Sequence, residues 1–148
     1  MAKDKYESIK LKNQVCFPIY LCSKEIIKKY NPLLSELDLT YTQYVVMMFF
    51  WERESSNLKE LAQTLMIDPS TLTPLLKKIE KKGYIKRERA KDDERNLVIT
   101  LTEEGEALKD KALVIPDKMR KCVDMSDDEI HQLLALTKKL LFILADEK

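Results

Sequence analysis

The chain has 148 residues, of which 34% are charged and 45% are hydrophobic, and its formal net charge is +1. This length suits one domain with a hydrophobic core, and the composition excludes a disordered chain. No apolar run approaches the ~20 residues of a membrane-spanning helix, and the opening sequence MAKDKYESIK has no signal-peptide apolar region. We therefore expect a cytoplasmic protein with no membrane partner. The two glycines argue against a β-sandwich and predict a mainly α-helical fold.

Two helices are predicted in the first third of the chain. Apolar residues recur at helical spacing over residues 9–30, where Pro18 is expected to bend or loosen the helix and Asn31-Pro32 to end it. Thr42 is the predicted N-cap of a strongly apolar helix that reaches Glu52. Because this second helix is hydrophobic on all sides, we expect it to be the buried centre of the domain.

A helix-turn-helix and a hairpin are predicted next. A short helix over residues 58–64 and a turn over 65–68 precede Asp68-Pro69, a strong helix start, and Gly83 ends the helix that follows at about Lys82. Beyond it the period changes to that of extended chain over 84–88 and 96–101, with a charged turn over 90–95. A hairpin directly after a helix-turn-helix is typical of a wing.

The remaining sequence predicts two further helices. The first begins near Thr102, with acidic residues in its first turn, and continues to about Cys122. The second covers 126–145 and opens with the capping-box pattern Ser126-Asp127-Asp128-Glu129. The chain contains neither an internal repeat nor a linker, so residues 1–148 are expected to form one domain.

Basic residues are concentrated in one segment. From Lys77 to Arg95 nine Lys and Arg stand against five Asp and Glu, a local charge of +4 in a nearly neutral chain. Such a segment is the electrostatic pattern expected of a phosphate-binding surface.

Three cysteines and a single histidine give no metal or disulfide pattern. Cys16, Cys22 and Cys122 have no C-x-x-C spacing, so we expect free thiols and no cofactor. A free cysteine is by default a small buried hydrophobe, and this is the prediction for Cys22. His131, alone in a Leu-rich helix, is predicted to be structural.

The wing and the residues after it resemble a known signature. Asp93-Glu94-Arg95 followed by Leu101-Thr102-Glu103-Glu104-Gly105 resembles the D-x-R…LT-x-x-G pattern of the MarR family of winged-helix regulators. Within that family the chain is similar to the OhrR-like group, which senses organic peroxides and other oxidants. The segments that carry this similarity are residues 13–17, 28–30, 39–44 and 72–78. The similarity extends over essentially the whole chain and is weakest after Ala112.

The resemblance implies an intertwined helical homodimer with a winged helix-turn-helix in each subunit. Residues 1–38 and 103–148 would form the dimerisation region, and 39–102 the DNA-binding lobe. The Leu-rich run between Leu133 and Leu144 agrees, since it contains more apolar residues than a small monomeric domain needs. A two-fold dimer would bind a pseudo-palindromic operator in double-stranded DNA with half-sites ~34 Å apart.

Candidate DNA contacts lie on the predicted recognition helix and on the wing. Near the start of the helix, Ser70, Thr71 and Thr73 are expected to face base edges or phosphates, and lysines farther along to follow the backbone. The resemblance implies that Arg95, tied to the wing acid Asp93, can reach the minor groove. The helix has no Asn, Gln or Arg for bidentate base contacts, so specificity is expected to depend on DNA shape and on the wing. The alternative is a solvated charged helix and hairpin. The backbone contacts expected are Lys77, Lys78, Lys81, Lys82, Arg89 and Lys91.

Cys16 is the candidate oxidant sensor, since a peroxide oxidises an accessible thiolate. The predicted helix does not begin at this residue, and the nearby cations are Lys10 and Lys12, so the sequence leaves open what stabilises the thiolate. The resemblance implies that the hydroxyls of Tyr20, Tyr30 and Tyr41 do so, with Tyr41 supplied by the partner subunit. The alternative is that these tyrosines are core aromatics and Cys16 fills space.

Cys122 lies in the region where two-thiol relatives in the resembled group have a second cysteine. Our hypothesis is that oxidised Cys16 condenses with Cys122 of the other subunit and that the disulfide moves the two recognition helices apart. Capping of Cys16 by a low-molecular-weight thiol, or resolution by Cys22, are the alternatives.

The predicted function is that of a transcriptional repressor that releases its operator when organic hydroperoxide or a related oxidant oxidises Cys16. The alternative is a MarR-type regulator that responds to a small aromatic ligand. An enzyme is not expected, because the chain has no βαβ pattern, no glycine-rich phosphate loop and no nucleophile elbow. A third possibility is a protein-interaction role with a vestigial wing.

Overall fold

The computed structural model describes residues 4–92 and 96–145. These residues form two short 3-10 turns, Glu7–Ile9 and Leu11–Asn13, followed by α-helices and three short β-strands. In chain order the elements are α1 (Cys16–Ser35), α2 (Tyr41–Arg53), β1 (Ser55–Asn57), α3 (Leu58–Leu65), α4 (Pro69–Lys81), β2 (Ile85–Arg89), β3 (Leu97–Leu101), α5 (Glu103–Ala112), α6 (Val114–Lys121) and α7 (Asp127–Ala145). The mainly helical fold with a hairpin after the second helix of a helix-turn-helix confirms the predicted fold class.

The chain divides into two compact units, residues 1–115 and residues 116–148. The first unit contains α1 to α5 and the sheet, and the second contains α7. Each unit is a group of residues that contact one another more than they contact the rest of the chain. The predicted division into a dimerisation region of 1–38 and 103–148 and a DNA-binding lobe of 39–102 concerns function and stays a prediction.

The core of the first unit is built around α2, as predicted. Val46, Met47 and Phe50 are fully buried, and Tyr44 and Phe49 are nearly so. Helices α1, α3, α4 and α5 and strands β2 and β3 also contribute apolar side chains to this core. Its completely enclosed residues include Leu34, Leu61, Leu72, Leu76, Ile79 and Ile99.

Helix α1 begins and ends later than predicted. It starts at Cys16, and Ile9 and Leu11 before it lie in the 3-10 turns, so the expected helix over 9–30 is wrong at both ends. Pro18 lies in the first turn of α1, where a backbone N–H has no helical acceptor, so it does not interrupt the helix as expected. Pro32 lies inside α1, which continues to Ser35.

The N-cap of α2 is Thr40, two residues before the predicted Thr42. The hydroxyl of Thr40 accepts a hydrogen bond from the backbone N–H of Gln43, and the side chain of Gln43 accepts one from the N–H of Thr40. This reciprocal pair satisfies two N–H groups that the first turn leaves without partners. Helix α2 therefore begins at Tyr41.

The sheet has one strand that the sequence did not predict. Strand β3 lies between β1 and β2, and both pairings are antiparallel. The wing hairpin pairs Ile85 with Leu101 at its base and Arg89 with Leu97 at its tip. Strand β1 pairs its central Ser56 with Ile99, which fixes the wing to the segment between α2 and α3.

The helix predicted over 102–122 is interrupted. It divides at Leu113 into α5 and α6. Pro116 accounts for the interruption, because a proline has no N–H to donate to the carbonyl of Ala112 and its ring crowds that carbonyl. The last helix matches its prediction, since Ser126 and Glu129 exchange the expected capping hydrogen bonds at its start. No helix in the described part of the chain is both long and apolar enough to span a membrane.

Candidate DNA interface and thiol site

The first turn of α4 presents small polar side chains to solvent. Asp68 is the N-cap, and its carboxylate accepts hydrogen bonds from the backbone N–H of Ser70 at 2.8 Å and from the Ser70 hydroxyl at 2.6 Å. Thr71 is exposed, and the half-buried Thr73 donates its hydroxyl to the carbonyl of Pro69 at 2.9 Å. The three residues predicted to face base edges or phosphates therefore share one helix end, and Pro74 follows them without breaking the helix.

The lysines of this region differ in their surroundings. Lys77, Lys78 and Lys81 are exposed along α4. Lys82 instead contacts the carboxylate of Asp38 at 3.2 Å and the amide oxygen of Gln43 at 3.4 Å. The ammonium of Lys82 thus ties the end of α4 to the segment between α1 and α2.

An ion pair joins α4 to the wing. The guanidinium of Arg87 donates from Nε at 2.9 Å and from Nη2 at 2.7 Å to one carboxylate oxygen of Glu80, and the backbone N–H of Arg87 donates to the other at 2.8 Å. These hydrogen bonds hold the pKa of Glu80 below its usual range. In the sequence, Glu80 and Arg87 had been considered only as charges of the basic segment. The sequence indicated this pair only by the spacing of seven residues between a Glu before the predicted end of α4 and an Arg after it.

The wing carries further charges toward its tip. Lys86 and Glu88 form an exposed pair at 2.6 Å, and Arg89 and Lys91 are exposed. Asp93 and Arg95 lie outside the described residues, so the tie between them stays a prediction.

Thr102 and Gly105 close the base of the wing and give the LT-x-x-G pattern a physical reason. The Thr102 hydroxyl donates to the carbonyl of Gly83 at 2.5 Å and accepts from the N–H of Gly105 at 3.1 Å. The Thr102 N–H donates to the carbonyl of Tyr84 at 3.1 Å. A Cβ on Gly105 would lie 2.1 Å from that carbonyl oxygen, so only glycine lets α5 approach the wing this closely.

Cys16 is the first residue of α1, and its side chain is exposed. The expectation that it does not lie at a helix start is therefore wrong. The N-terminus of a helix has N–H groups without helical acceptors and the positive end of the helix dipole, and both favour an anionic sulfur. Helix α1 has no side-chain N-cap to occupy these groups.

The two lysines that precede Cys16 are engaged by carboxylates. Lys10 lies 2.7 Å from Asp4 and 2.5 Å from Glu7, and Lys12 lies 3.5 Å from Glu7. These contacts lower the pKa values of Asp4 and Glu7, chiefly through Lys10, and raise the pKa of Lys10. A carboxylate therefore offsets the positive charge of each of these two lysines.

Two of the three predicted thiolate-stabilising tyrosines pack against each other. The ring centroids of Tyr30 and Tyr41 are 4.9 Å apart, and the buried Tyr44 lies 5.9 Å from Tyr30. Burial, together with the neighbouring Tyr41, raises the pKa of Tyr30, which therefore keeps its phenolic proton at neutral pH. Tyr20 lies on an exposed face of α1 under the ammonium of Lys24, at 5.2 Å from the ring centroid.

Cys16 does not meet the Tyr30–Tyr41 pair of its own chain. Fourteen helical residues separate Cys16 from Tyr30, which corresponds to about 21 Å along α1. The sequence missed that Tyr44 and Trp51 continue the aromatic cluster, with 6.1 Å between their ring centroids. Their spacing from Tyr41 along one face of α2 was the available signal.

Cys122 directly follows α6, and its side chain is exposed. The thiol donates to the carbonyl of Lys118 at 3.4 Å. Arg120 braces the turn around it with hydrogen bonds to the carbonyls of Val123 at 2.9 Å and Met125 at 2.6 Å.

The prediction that Cys22 lies in the core is wrong for the chain by itself, because Cys22 is exposed on α1. His131 is exposed on α7. Among the described residues no group of His, Cys, Asp and Glu side chains has the arrangement of a metal site.

Residues 28–112 match the family described as transcriptional regulator SarA/Rot. The chain belongs to the SarA/Rot family of transcriptional regulators. It is 47% identical over 139 residues to the HTH-type transcriptional regulator SarZ of Staphylococcus haemolyticus, covering 94% of this chain and 92% of that one. It is 40% identical over 139 residues to the organic hydroperoxide resistance transcriptional regulator of Bacillus subtilis, covering 94% and 95%.

AbfR of Staphylococcus epidermidis has the same fold as this SarA/Rot regulator. The structure of reduced AbfR bound to DNA has a TM-score of 0.83 and 31% identity, and the match covers 97% of this chain and 98% of that one. The disulfide-formed AbfR has a TM-score of 0.66 at 31% identity, covering 96% and 97%. The predicted resemblance to OhrR-like winged-helix regulators is thereby confirmed, and the relatives are transcriptional regulators and not enzymes.

Proposed function

We propose that this regulator is a repressor that leaves its operator when an organic hydroperoxide oxidises Cys16. The observation that carries the proposal is the exposed thiol of Cys16 at the first residue of α1, where backbone N–H groups have no helical acceptor. The relative in Bacillus subtilis is a regulator of organic hydroperoxide resistance, which supports the same class of oxidant here.

The DNA-binding surface in this proposal consists of the start of α4, its exposed lysines and the wing. A helix that presents short hydroxyl side chains at its N-terminal end and ammonium groups behind them fits a major groove with its flanking phosphates. The DNA-bound state of AbfR supports this use of the shared fold. The residues assigned to it are Ser70, Thr71, Thr73, Lys77, Lys78, Arg89 and Lys91, with Asp93 and Arg95 at the tip of the wing.

A homodimer is the second part of the proposal. Helix α1 exposes Ile19, Leu21, Ile26 and Ile27, and much of α7 is equally apolar and exposed. Exposed apolar surface on two helices is costly in water, and a second copy of the chain would cover it. On α7 the exposed apolar residues are Leu133, Leu134, Leu136, Leu140, Leu141, Phe142, Ile143 and Leu144.

The dimer would also complete the thiol site. Because Tyr30 and Tyr41 pack together about 21 Å from the Cys16 of their own chain, both would reach the Cys16 of the partner subunit. This extends the expectation that Tyr41 alone crosses the dimer. Their phenolic O–H groups would donate to the thiolate, with Tyr20 near the sulfur on α1.

Oxidation then follows ordinary thiol chemistry. The Cys16 thiolate attacks the peroxide oxygen, the O–O bond breaks, the sulfur becomes a sulfenate and the oxidant leaves as an alcohol after taking up a proton. The sulfenic acid condenses with the Cys122 thiol of the partner subunit to form a disulfide and release water. The disulfide-formed state of AbfR supports such a step, and a low-molecular-weight thiol is the alternative resolving partner.

A mobility-shift assay on the promoter region tests this function. Wild-type protein should retard the duplex, release it after cumene hydroperoxide and bind again after dithiothreitol, whereas Cys16→Ser should stay bound throughout. Cys22→Ser, which removes an exposed thiol from the same helix, is the matched control and should behave as wild type. Equal release by wild type and Cys16→Ser would contradict the thiol switch.

Regulation by a small aromatic ligand is the second candidate, for which the chain offers an open cleft whose lysines suit a ligand with a carboxylate. The cleft has a volume of about 630 Å³ and lies where the end of α1, the start of α2 and the second half of α4 converge, with Leu39, Thr40, Lys78 and Lys82 among its walls. An aromatic acid that releases DNA from wild type and Cys16→Ser alike would favour this candidate.

A further inference from the structure

We infer that Trp51 is a positioning residue that couples the Tyr30–Tyr41 pair to the base of the wing through its indole N–H. The inference rests on the proposed function, because it concerns how a change at the thiol site reaches the DNA-binding elements. It uses only contacts within the first compact unit.

The aromatic side of this coupling is a continuous row of rings. Tyr41, Tyr44 and Trp51 occupy one face of α2, and Tyr30 of α1 packs against the first two. Tyr44 is buried and meets Trp51 edge to face at 6.1 Å. The buried ring of Tyr44 contacts both Tyr30 and Trp51, and a closely packed interior gives it little room to move without displacing them. A rearrangement of Tyr30 and Tyr41 therefore has to be accommodated at Trp51.

The polar side of the coupling starts at the indole nitrogen. Trp51 Nε1 donates a hydrogen bond of 2.8 Å to the carbonyl of Gly105 in the first turn of α5. Gly105 is the residue that approaches the Tyr84 carbonyl so closely that a Cβ would not fit. Its N–H donates to Thr102, whose hydroxyl donates to the carbonyl of Gly83 just after α4. A shift of Trp51 along α2 thus moves the junction between the recognition helix and the wing.

A second hydrogen bond between α2 and α5 provides the matched control. Lys109 Nζ donates to the backbone carbonyl of Trp51 at 3.1 Å, so it joins the same two helices without the indole. If the response to oxidation needed only a connection between α2 and α5, loss of either hydrogen bond would have the same effect on that response. If the indole N–H transmits the change, only its loss uncouples the thiol from the wing.

The experiment compares DNA affinity before and after complete oxidation of Cys16 in wild type, Trp51→Phe and Lys109→Met. A fluorescein-labelled promoter duplex is the probe, cumene hydroperoxide is the oxidant, and mass spectrometry follows the state of Cys16. In wild type and Lys109→Met, oxidation should weaken binding at least about tenfold, a factor within the usual range of allosteric coupling. In Trp51→Phe, which keeps an aromatic ring beside Tyr44, Cys16 should oxidise normally and reduced protein should bind normally. Oxidation of this variant should weaken binding less than about threefold.

The inference is overturned if oxidation weakens DNA binding by Trp51→Phe by the same factor as in wild type. It is also overturned if Lys109→Met loses this response to oxidation as completely as Trp51→Phe does. Failure of the proposed function gives a different result, because wild-type protein would then stay bound to DNA after oxidation. That result overturns both the proposed function and the coupling through Trp51.

A spectroscopic measurement decides the matter even where Trp51→Phe does not fold. Trp51 is the single tryptophan of the chain, so the fluorescence of the whole protein reports on its surroundings. Oxidation should shift the emission of wild type and leave that of Cys16→Ser unchanged. An unchanged wild-type emission at complete oxidation of Cys16 overturns the inference.

Discussion

Gly83 and Gly105 stand at the base of the wing for two different reasons. Gly83 follows α4 with a φ of +84°, the left-handed conformation that a Cβ disfavours, yet nothing lies within 4 Å of the place where a Cβ would be. Gly105 lies in ordinary helix, where a Cβ would overlap the backbone carbonyl of Tyr84. The cost of a side chain is therefore conformational at Gly83 and steric at Gly105.

Replacing the two glycines by alanine should separate these costs. Gly105→Ala forces the backbone of α5 away from the Tyr84 carbonyl. It should lower the free energy of unfolding by about 3 kcal/mol or more. Gly83→Ala should cost only about 1 kcal/mol, the usual strain of a left-handed non-glycine residue. Urea unfolding of the reduced protein measures both, and equal losses would contradict the close approach of α5 to the wing.

The sensor residue shows which properties a sequence can reveal. Cys16 could be singled out by resemblance, but its place at the start of α1 could not be predicted because apolar periodicity continues upstream through Ile9. The 3-10 turns that interrupt it are held by Asn13 and Gln14, whose side chains donate to the carbonyls of Glu7 and Ser8 at 2.7 Å each. Such side-chain contacts across several residues are not apparent from periodicity.

At the scale of elements, α4 and the wing are joined by the Glu80–Arg87 pair. The side chains retain 32% and 18% of their exposure, so water screens the pair only in part. The pKa of Glu80 is lowered from its ordinary value of 4.5, chiefly by the hydrogen bonds from Arg87. A lowered carboxyl pKa contributes stability above the pKa of the unfolded chain, and this contribution disappears as pH falls through the folded value.

Glu80→Gln should accordingly lower the free energy of unfolding by about 1 kcal/mol at pH 7. The difference from wild type should shrink as pH falls below about 4.5, because wild type then loses the carboxylate as well. Urea titrations at several pH values measure it. Glu88→Gln removes a carboxylate from the exposed pair with Lys86 and should cost little at any pH. A Glu80→Gln deficit that persists undiminished at pH 3 would contradict this account.

Elements with strong end signals were predicted well, and those that depend on distant partners were not. Asp68-Pro69 and Gly83 bracket α4 within one residue of the prediction. Strand β1 was missed because Ser55–Asn57 has little β-propensity and is extended only through its pairing with β3. The break between α5 and α6 is indicated in the sequence by Pro116 alone, since the helical pattern continues across it.

For the whole molecule, the proposed dimer and disulfide lead to one combined test. Reduced protein should sediment at about twice the 17.4 kDa of the chain. After peroxide, a covalent dimer should appear on a non-reducing gel in wild type and in Cys22→Ser, since the proposed disulfide does not use Cys22. It should be absent from Cys16→Ser and Cys122→Ser. A covalent dimer that survives Cys122→Ser would eliminate Cys122 as the resolving thiol and leave the dimer itself standing.

The order of strands in the sheet bears on how the protein avoids aggregation. Because β3 lies in the centre, both β1 and β2 have an edge without a strand partner in the described part of the chain. Open edges can pair with strands of other molecules, which leads to aggregates. Strand β1 has only three residues, and β2 carries charge at each position after Ile85. The charges that make the wing suitable for a phosphate backbone therefore also keep β2 from pairing with another chain, so neutralising the wing would reduce solubility along with DNA affinity.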